Sequence, residues 1–267
     1  MLIGKISSPL IMGVVNVTPD SFSDGGRFFS VESAIDHGLK LIEEGADIID
    51  VGGESSRPGA LPVPTDEELS RVIPVVEALA RSVPVSVDTV KPEVMMDAIS
   101  AGAAMINDIN ALSDIDVSFL IDASISICLM HKQGDPMTMQ LDPSYNDVLE
   151  EVYGFLEKRV DALVEAGISK ERLLIDPGFG FGKTLEQNLM LLRHLDRFLA
   201  LDLPILAGLS RKSMLGAITG RPVSERVHAS VAASLIAVQK GASIVRVHDV
   251  SAMRDALKIL NAVEGRA

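Results

Sequence analysis

Polar side chains able to do chemistry recur in this chain where short apolar runs end. Asn16 closes LIMGVVN, and Asp50 closes ADIID with Glu54 just beyond. Asp88 closes PVSVD, Asn107 and Asp108 close AMIND, His131 closes SISICLMH, and Asp176 closes RLLID. Ser210, Arg211 and Lys212 follow PILAGL, and Arg246, His248 and Asp249 sit in SIVRVHD. An Asp after a strand is often a helix cap, but eight runs ending alike argue for a shared site. Asp88 and Asp176 can accept from a ligand edge that carries N–H donors. Lys212, Arg246, Arg57 and His248 can neutralise an anion, each charged hydrogen bond contributing roughly 1.5–3 kcal/mol. Arg246 and His248 stand two apart on a strand and so point the same way. An acidic chain with a basic cluster at one place suggests a phosphorylated substrate. One amide oxygen, Asn16, together with phosphate oxygens would suit a hard cation such as Mg²⁺, which keeps most of its waters.

Other motifs are weaker or fail. DPGFGFGKT (Asp176 to Thr184) resembles a phosphate loop, but Pro177 stands where that pattern needs Gly. The segment reads better as a glycine-rich turn that carries Asp176 and puts the aromatic Phe181 over a pocket. SRKSMLG, Ser210 to Gly216, follows the seventh run, where barrels often bind phosphate. No Cys/His set has zinc spacing, and no GxSxG motif occurs.

These positions need a scaffold. The eight runs are nearly continuous apolar stretches, as expected of strands buried on both faces in a parallel sheet. Helix-period segments such as VESAIDHGLKLIEEG and RVHASVAASLIAVQKG separate them. Thr65 with Glu68 makes a capping-box pattern, and Pro92 suits a first helical turn. Gly45, Gly102, Gly167 and Gly241 each end a helical run. With no linker between units, the pattern predicts one (β/α)8 TIM barrel domain over residues 1–267, its site at the strand carboxyl ends. An open doubly wound sheet is the alternative, but it would show a glycine-rich loop after the first strand. Two long Gly/Pro/Ser-rich loops, NVTPDSFSDGGRFF and GGESSRPGALPVPTD, follow the first two runs and read as lids.

Composition narrows the class. The chain has 267 residues, 47% of them hydrophobic and only 4% aromatic, so Ile, Leu, Val, Ala and Met must build the core. The net charge of −13 and the absence of a basic stripe argue against nucleic acid. The N-terminal apolar stretch is too short for a membrane span, and no membrane partner is expected. The single Cys128 lies in an apolar run and is expected to be a buried inert thiol. A cytoplasmic location is expected.

NVTPDSFSDGG, DVGGESSRPG, SVDT, NDI, MHKQGDPMTMQ, DPGFGFGKT, GLSRKSMLG and VRVHDV, in this order, resemble the bacterial dihydropteroate synthases from about Ile11 onward. The resemblance implies condensation of 6-hydroxymethyl-7,8-dihydropterin pyrophosphate with p-aminobenzoate, releasing pyrophosphate by a dissociative route. It places the pterin on Asp88, Asn107, Ile109, Met130, Asp176, Lys212 and Arg246. Pyrophosphate goes to Asn16, Arg57, Arg246 and His248, with Mg²⁺ near Asn16. Phe22, Ser56, Pro58, Phe181, Ser210 and Lys212 frame the p-aminobenzoate site. Asp88, Lys212 and Arg57 carry the catalytic roles, while Asp50, Glu54, Asp108, His131 and Asp249 are left supporting or capping ones. Ser56 stands where many relatives have Thr, and Lys132 where they have an apolar residue, so its role is open. No insertion follows Phe22, which implies sulfonamide sensitivity, and the family implies a homodimer through outer helices. A corrinoid-linked methyltetrahydrofolate methyltransferase domain shares the barrel and pterin carboxylates but lacks the SRKS segment and the ESSRPG lid. A non-catalytic pterin-binding paralogue would not need every matched position intact.

Overall fold

The computed structural model describes residues 8–17, 31–55, 59–113 and 115–265. Its strands are β1 (Leu10–Asn16), β2 (Ile48–Gly52), β3 (Val85–Asp88), β4 (Met105–Asp108), β5 (Ser126–Met130), β6 (Leu173–Asp176), β7 (Ile205–Ala207) and β8 (Ala242–Val247). All pair in parallel and in chain order, and β8 returns to β1 through Leu10↔Ile244 to Gly13↔Val247. Closure excludes the open doubly wound sheet. Helices α1 (Val31–Glu43), α2 (Thr65–Leu79), α3 (Pro92–Ser100), α4 (Ser118–Ile121), α5 (Val148–Glu165), α6 (Leu185–Arg193), α7 (Ser213–Thr219), α8 (Val227–Gln239) and α9 (Val250–Glu264) cover the outside.

The apolar strands serve two cores at once. One set of side chains faces outward and packs under the helices with Phe179, Phe198, Leu79 and Met95. The other faces inward: Met12, Ile48, Met105, Cys128, Leu174, Leu206 and Ile244 fill the barrel. Cys128 is fully buried there, and burial raises its thiol well above the ordinary range. Because strand side chains alternate faces, the residue two beyond each plug residue also points inward, one layer higher. Those residues are Val14, Asp50, Asn107, Met130, Asp176, Gly208 and Arg246, and Asp88 joins them from β3 in register with Asn107. The barrel is thus apolar at its middle and polar at its carboxyl mouth.

One cap differs from expectation. Thr65 is the first residue of α2, Pro64 precedes it, and no side chain caps the helix. Glu68 is 1% exposed and turns inward to pair with Lys91. Lys91 lies 23 residues away and supplies a charged, buried partner that a local cap cannot match. Pro92 does open α3 as its first residue.

Candidate active site at the barrel mouth

Arg246 lies across the floor of the mouth. Its Nε donates to Asp50 Oδ2 at 2.6 Å, and a terminal nitrogen donates to Asp88 Oδ2 at 3.1 Å. Asn107 donates to the same Asp50 oxygen at 3.3 Å. Asp50 is fully buried, whereas the Arg246 side chain keeps 22% exposure and Asp88 13%. Burial opposes the Arg246 charge, but Asp50 and Asp88 more than offset it and hold its pKa above the ordinary value. Burial pushes Asp88 up to about 7, against the pull of Arg246 and with help from Asp50. Asp50 Oδ1 and Asn107 Oδ1 are buried acceptors without a protein partner among the described residues. Ile109 and Met130, 9% and 4% exposed, supply apolar surface at the ends of β4 and β5.

The opposite wall is built from the loops after β6 and β7. Asp176 ends β6, and its Oδ1 accepts from Gly178 N at 2.7 Å. Burial raises the Asp176 pKa, against that hydrogen bond and Lys212. The Lys212 ammonium donates to the Phe179 carbonyl at 2.7 Å and sits 4.2 Å from the centre of the Phe181 ring. Burial lowers Lys212 to about 8, although Asp176 opposes the shift. Phe181 therefore lies beside Lys212.

The turn that presents Lys212 is strapped from both sides. Arg211 takes a left-handed backbone conformation, φ 58°. Its guanidinium turns away from the mouth and binds Asp249 twice, at 2.6 and 3.1 Å. Arg226 donates to the Arg211 and Lys212 carbonyls. Ser210 and His248 meet directly: the hydroxyl lies 3.0 Å from His248 Nδ1 and accepts from His248 N at 3.2 Å. Asn16 ends β1 next to Gly52, half-buried, with its Oδ1 3.9 Å from where a side chain on Gly52 would begin.

Several expected residues are not placed at the site by this geometry. Phe22, Ser56, Arg57 and Pro58 lie outside the described residues. Asp108 points outward and caps its own loop by accepting from Asn110 N and Leu112 N. His131 also points outward, its ring edge-on to Phe155 of α5. Lys132 donates to Gly134 O within its own loop. Among the described residues no cluster of three or more His, Cys, Asp or Glu is arranged for a metal.

The chain and its fold match known proteins. Residues 12–248 match the family model described as pterin binding enzyme. The dihydropteroate synthase of Haemophilus influenzae is 50% identical over 260 residues, covering 96% of this chain and 94% of that protein. This chain belongs to the dihydropteroate synthase family. A solved dihydropteroate synthase of Xanthomonas albilineans, holding 4-aminobenzoic acid, superposes with a TM-score of 0.92 at 54% identity, covering 97% of this chain and 94% of its own. That of Yersinia pestis, in complex with a sulfonamide drug, has a TM-score of 0.91 at 45% identity, covering 98% and 96%.

Within the dihydropteroate synthase frame, Asp50 is the site residue that sequence reasoning undervalued. It is more than a strand-end cap, because it fixes Arg246 and Asn107 together. The signal was its parity: Asp50 stands two after Ile48 and shares its inward face. Lys183 was missed, because the glycine-rich-turn reading of its segment gave roles to Asp176 and Phe181 only.

Proposed function

We propose that this chain joins 6-hydroxymethyl-7,8-dihydropterin pyrophosphate to p-aminobenzoate, giving 7,8-dihydropteroate and pyrophosphate. The observation that carries this reading is the inward layer of Asp50, Asp88, Asn107, Asp176 and Arg246 above an apolar plug. Such a floor suits a flat heterocycle whose edge is rich in N–H donors. Asp88 and Asp176 accept from that edge, and the orphan Asn107 oxygen gains a donor. An unmet buried acceptor costs about 1–3 kcal/mol, so that gain is worth making. Ile109 and Met130 pack against the ring, and Arg246 covers it.

Chemistry follows from charge. The methylene C–O bond breaks and both electrons leave with pyrophosphate. The leaving anion is held by Asn16, His248, Arg246 and Arg57. The electron-deficient methylene conjugates with the pterin, and the Asp88 carboxylate faces the charge that develops. The arylamine nitrogen then forms the new C–N bond and gives up its proton. Phe181 and Lys212 border the space it enters, with Ser210 beside them and Phe22, Ser56 and Pro58 supplied by the lids. The route needs no covalent enzyme intermediate.

Mg²⁺ is part of the proposal, and the donor set fits it. Asn16 offers one half-buried hard oxygen beside Gly52, so the rest of the shell would come from pyrophosphate oxygens and water. When bound there, the ion supplies Lewis-acid neutralisation of the leaving group. We also place the protein in the cytoplasm and expect sulfonamides to compete with p-aminobenzoate; the Yersinia pestis relative was solved in complex with a sulfonamide drug. No helix among the described residues is long and apolar enough to cross a membrane. The direct test is product analysis: both substrates together should give 7,8-dihydropteroate, and its absence by mass spectrometry would remove the proposal.

A further inference from the structure

Lys183 is 3% exposed and stands outside the mouth described above. Its ammonium donates to Gly178 O at 2.9 Å and Phe181 O at 3.0 Å, and lies 3.0 Å from His131 Nδ1. Burial lowers Lys183 to about 7 against the pull of Asp176; when charged, its three N–H donors serve these partners, with the His131 carbonyl a longer fourth acceptor at 3.5 Å. His131 is neutral, because burial and the nearby Lys183 charge lower its pKa to about 3, and its Nδ1 accepts when Lys183 is charged. The groups around Lys183 that titrate or carry charge are His131 from β5, Asp176 from β6, and Lys212 from the following loop.

The two carbonyls taken by Lys183 bracket the turn that makes one wall of the site. Gly178, Gly180 and Gly182 all have positive φ, and the turn lies directly against the 131–133 backbone. Between the Gly178 and Phe181 carbonyls, the Phe179 carbonyl faces the other way and receives Lys212. The Phe181 ring lies over the same ammonium. Lys183 therefore fixes the Gly178 and Phe181 carbonyls, while Asn188, Gln140 and Tyr145 hold Gly180 N, Gly180 O and Gly182 O. Together these bonds fix where Lys212 Nζ and the Phe181 ring stand. The Asp176 backbone is held separately by the ladder, through Met130↔Asp176 and His131 N to Asp176 O at 3.0 Å, while its carboxylate meets the turn only at Gly178 N.

We infer that Lys183 is a positioning residue for the arylamine half of the reaction: it locks the 178–182 turn from beneath and so sets Phe181 and Lys212. It touches no substrate. This inference rests on the proposed condensation, so wild-type turnover comes first. No product from wild-type enzyme would sink the functional reading, whereas the variants test only the inference.

Lys183→Met keeps the stem and removes all three bonds. The expected result is a rise of about tenfold or more in KM for p-aminobenzoate. The dissociation constant for the dihydropterin pyrophosphate, measured by calorimetry without the amine, should rise by clearly less, about threefold at most, because Lys212 and Asp176 are only two of the residues expected to hold the pterin. Lys183→Gln retains two N–H donors and should recover part of the loss. His131→Asn leaves both carbonyl bonds to Lys183 and should shift KM for p-aminobenzoate by threefold or less. If Lys183→Met does not fold, Lys183→Gln carries the comparison. Equal weakening toward both substrates, or none toward the amine, would overturn the inference, because a merely structural residue has no reason to divide them.

Discussion

Asp50 and Asp88 share one cation and should fail differently. Asp50 is fully buried and binds Arg246 and Asn107, so its charge works as scaffold. Asp50→Asn leaves Arg246 short of a counter-charge. Removing one member of a buried pair costs roughly 3–5 kcal/mol, and the retained amide oxygen favours the lower end. Denaturant unfolding should show that loss together with a raised KM for the pterin substrate. Asp88 is pushed up to about 7 by burial, and the reaction needs it ionised. The pterin kcat/KM should therefore fall as pH drops below about 7. The stability term has the opposite sign. A carboxyl whose pKa is raised on folding contributes stability below its unfolded value near 4, and that contribution is lost as pH rises through 7. A pH profile of kcat/KM that stays flat from 8 to 6 would contradict the role. At this scale the site was legible where a polar type ended an apolar run. Which of those residues face inward depended on parity: Asp50, Asp88 and Arg246 share the face of the plug residues, while Asp108 and His131 do not.

Loops after the strands set the finer geometry, and glycine is what lets them approach. A Cβ at Gly178 would stand 1.8 Å from the His131 carbonyl oxygen, at φ 71°. Neither the backbone nor the sign of φ can give way cheaply. Gly178→Ala should cost about 3 kcal/mol in unfolding and remove most turnover by displacing the Phe179 carbonyl from Lys212. An active variant of wild-type stability would show that the turn has slack. The strands and principal helices were legible from apolar period, and the helix-ending glycines Gly45, Gly102, Gly167 and Gly241 all have positive φ. The contacts that tie elements together were not. Glu68 looks like a capping residue in sequence because Lys91 is distant along the chain. Likewise, Arg211 looks like a ligand-facing cation until Asp249 claims it.

The outer surface carries its own signal. VHASVAASLIAVQ, the α8 sequence, is apolar on all sides, a pattern expected of a covered helix. Yet Ile236 on α8 is 45% exposed. It is flanked by α7 and α9, with Ile218 at 55% and Ile259 at 68%. These helices suit a symmetric contact between two copies of the chain. Light scattering should then give twice the 28.5 kDa chain mass, and a monomer at micromolar concentration would contradict it. The barrel itself was legible from eight apolar runs with helices between them. The mouth is described only in part, because Phe22, Ser56 and Pro58, expected for p-aminobenzoate, and Arg57, expected for pyrophosphate, fall outside the described residues. The most direct test of the central claim is pyrophosphate release, followed with the dihydropterin pyrophosphate, p-aminobenzoate and Mg²⁺. Release that requires the pterin substrate and matches 7,8-dihydropteroate one for one is the predicted result. No release from the folded protein with both substrates present would contradict it.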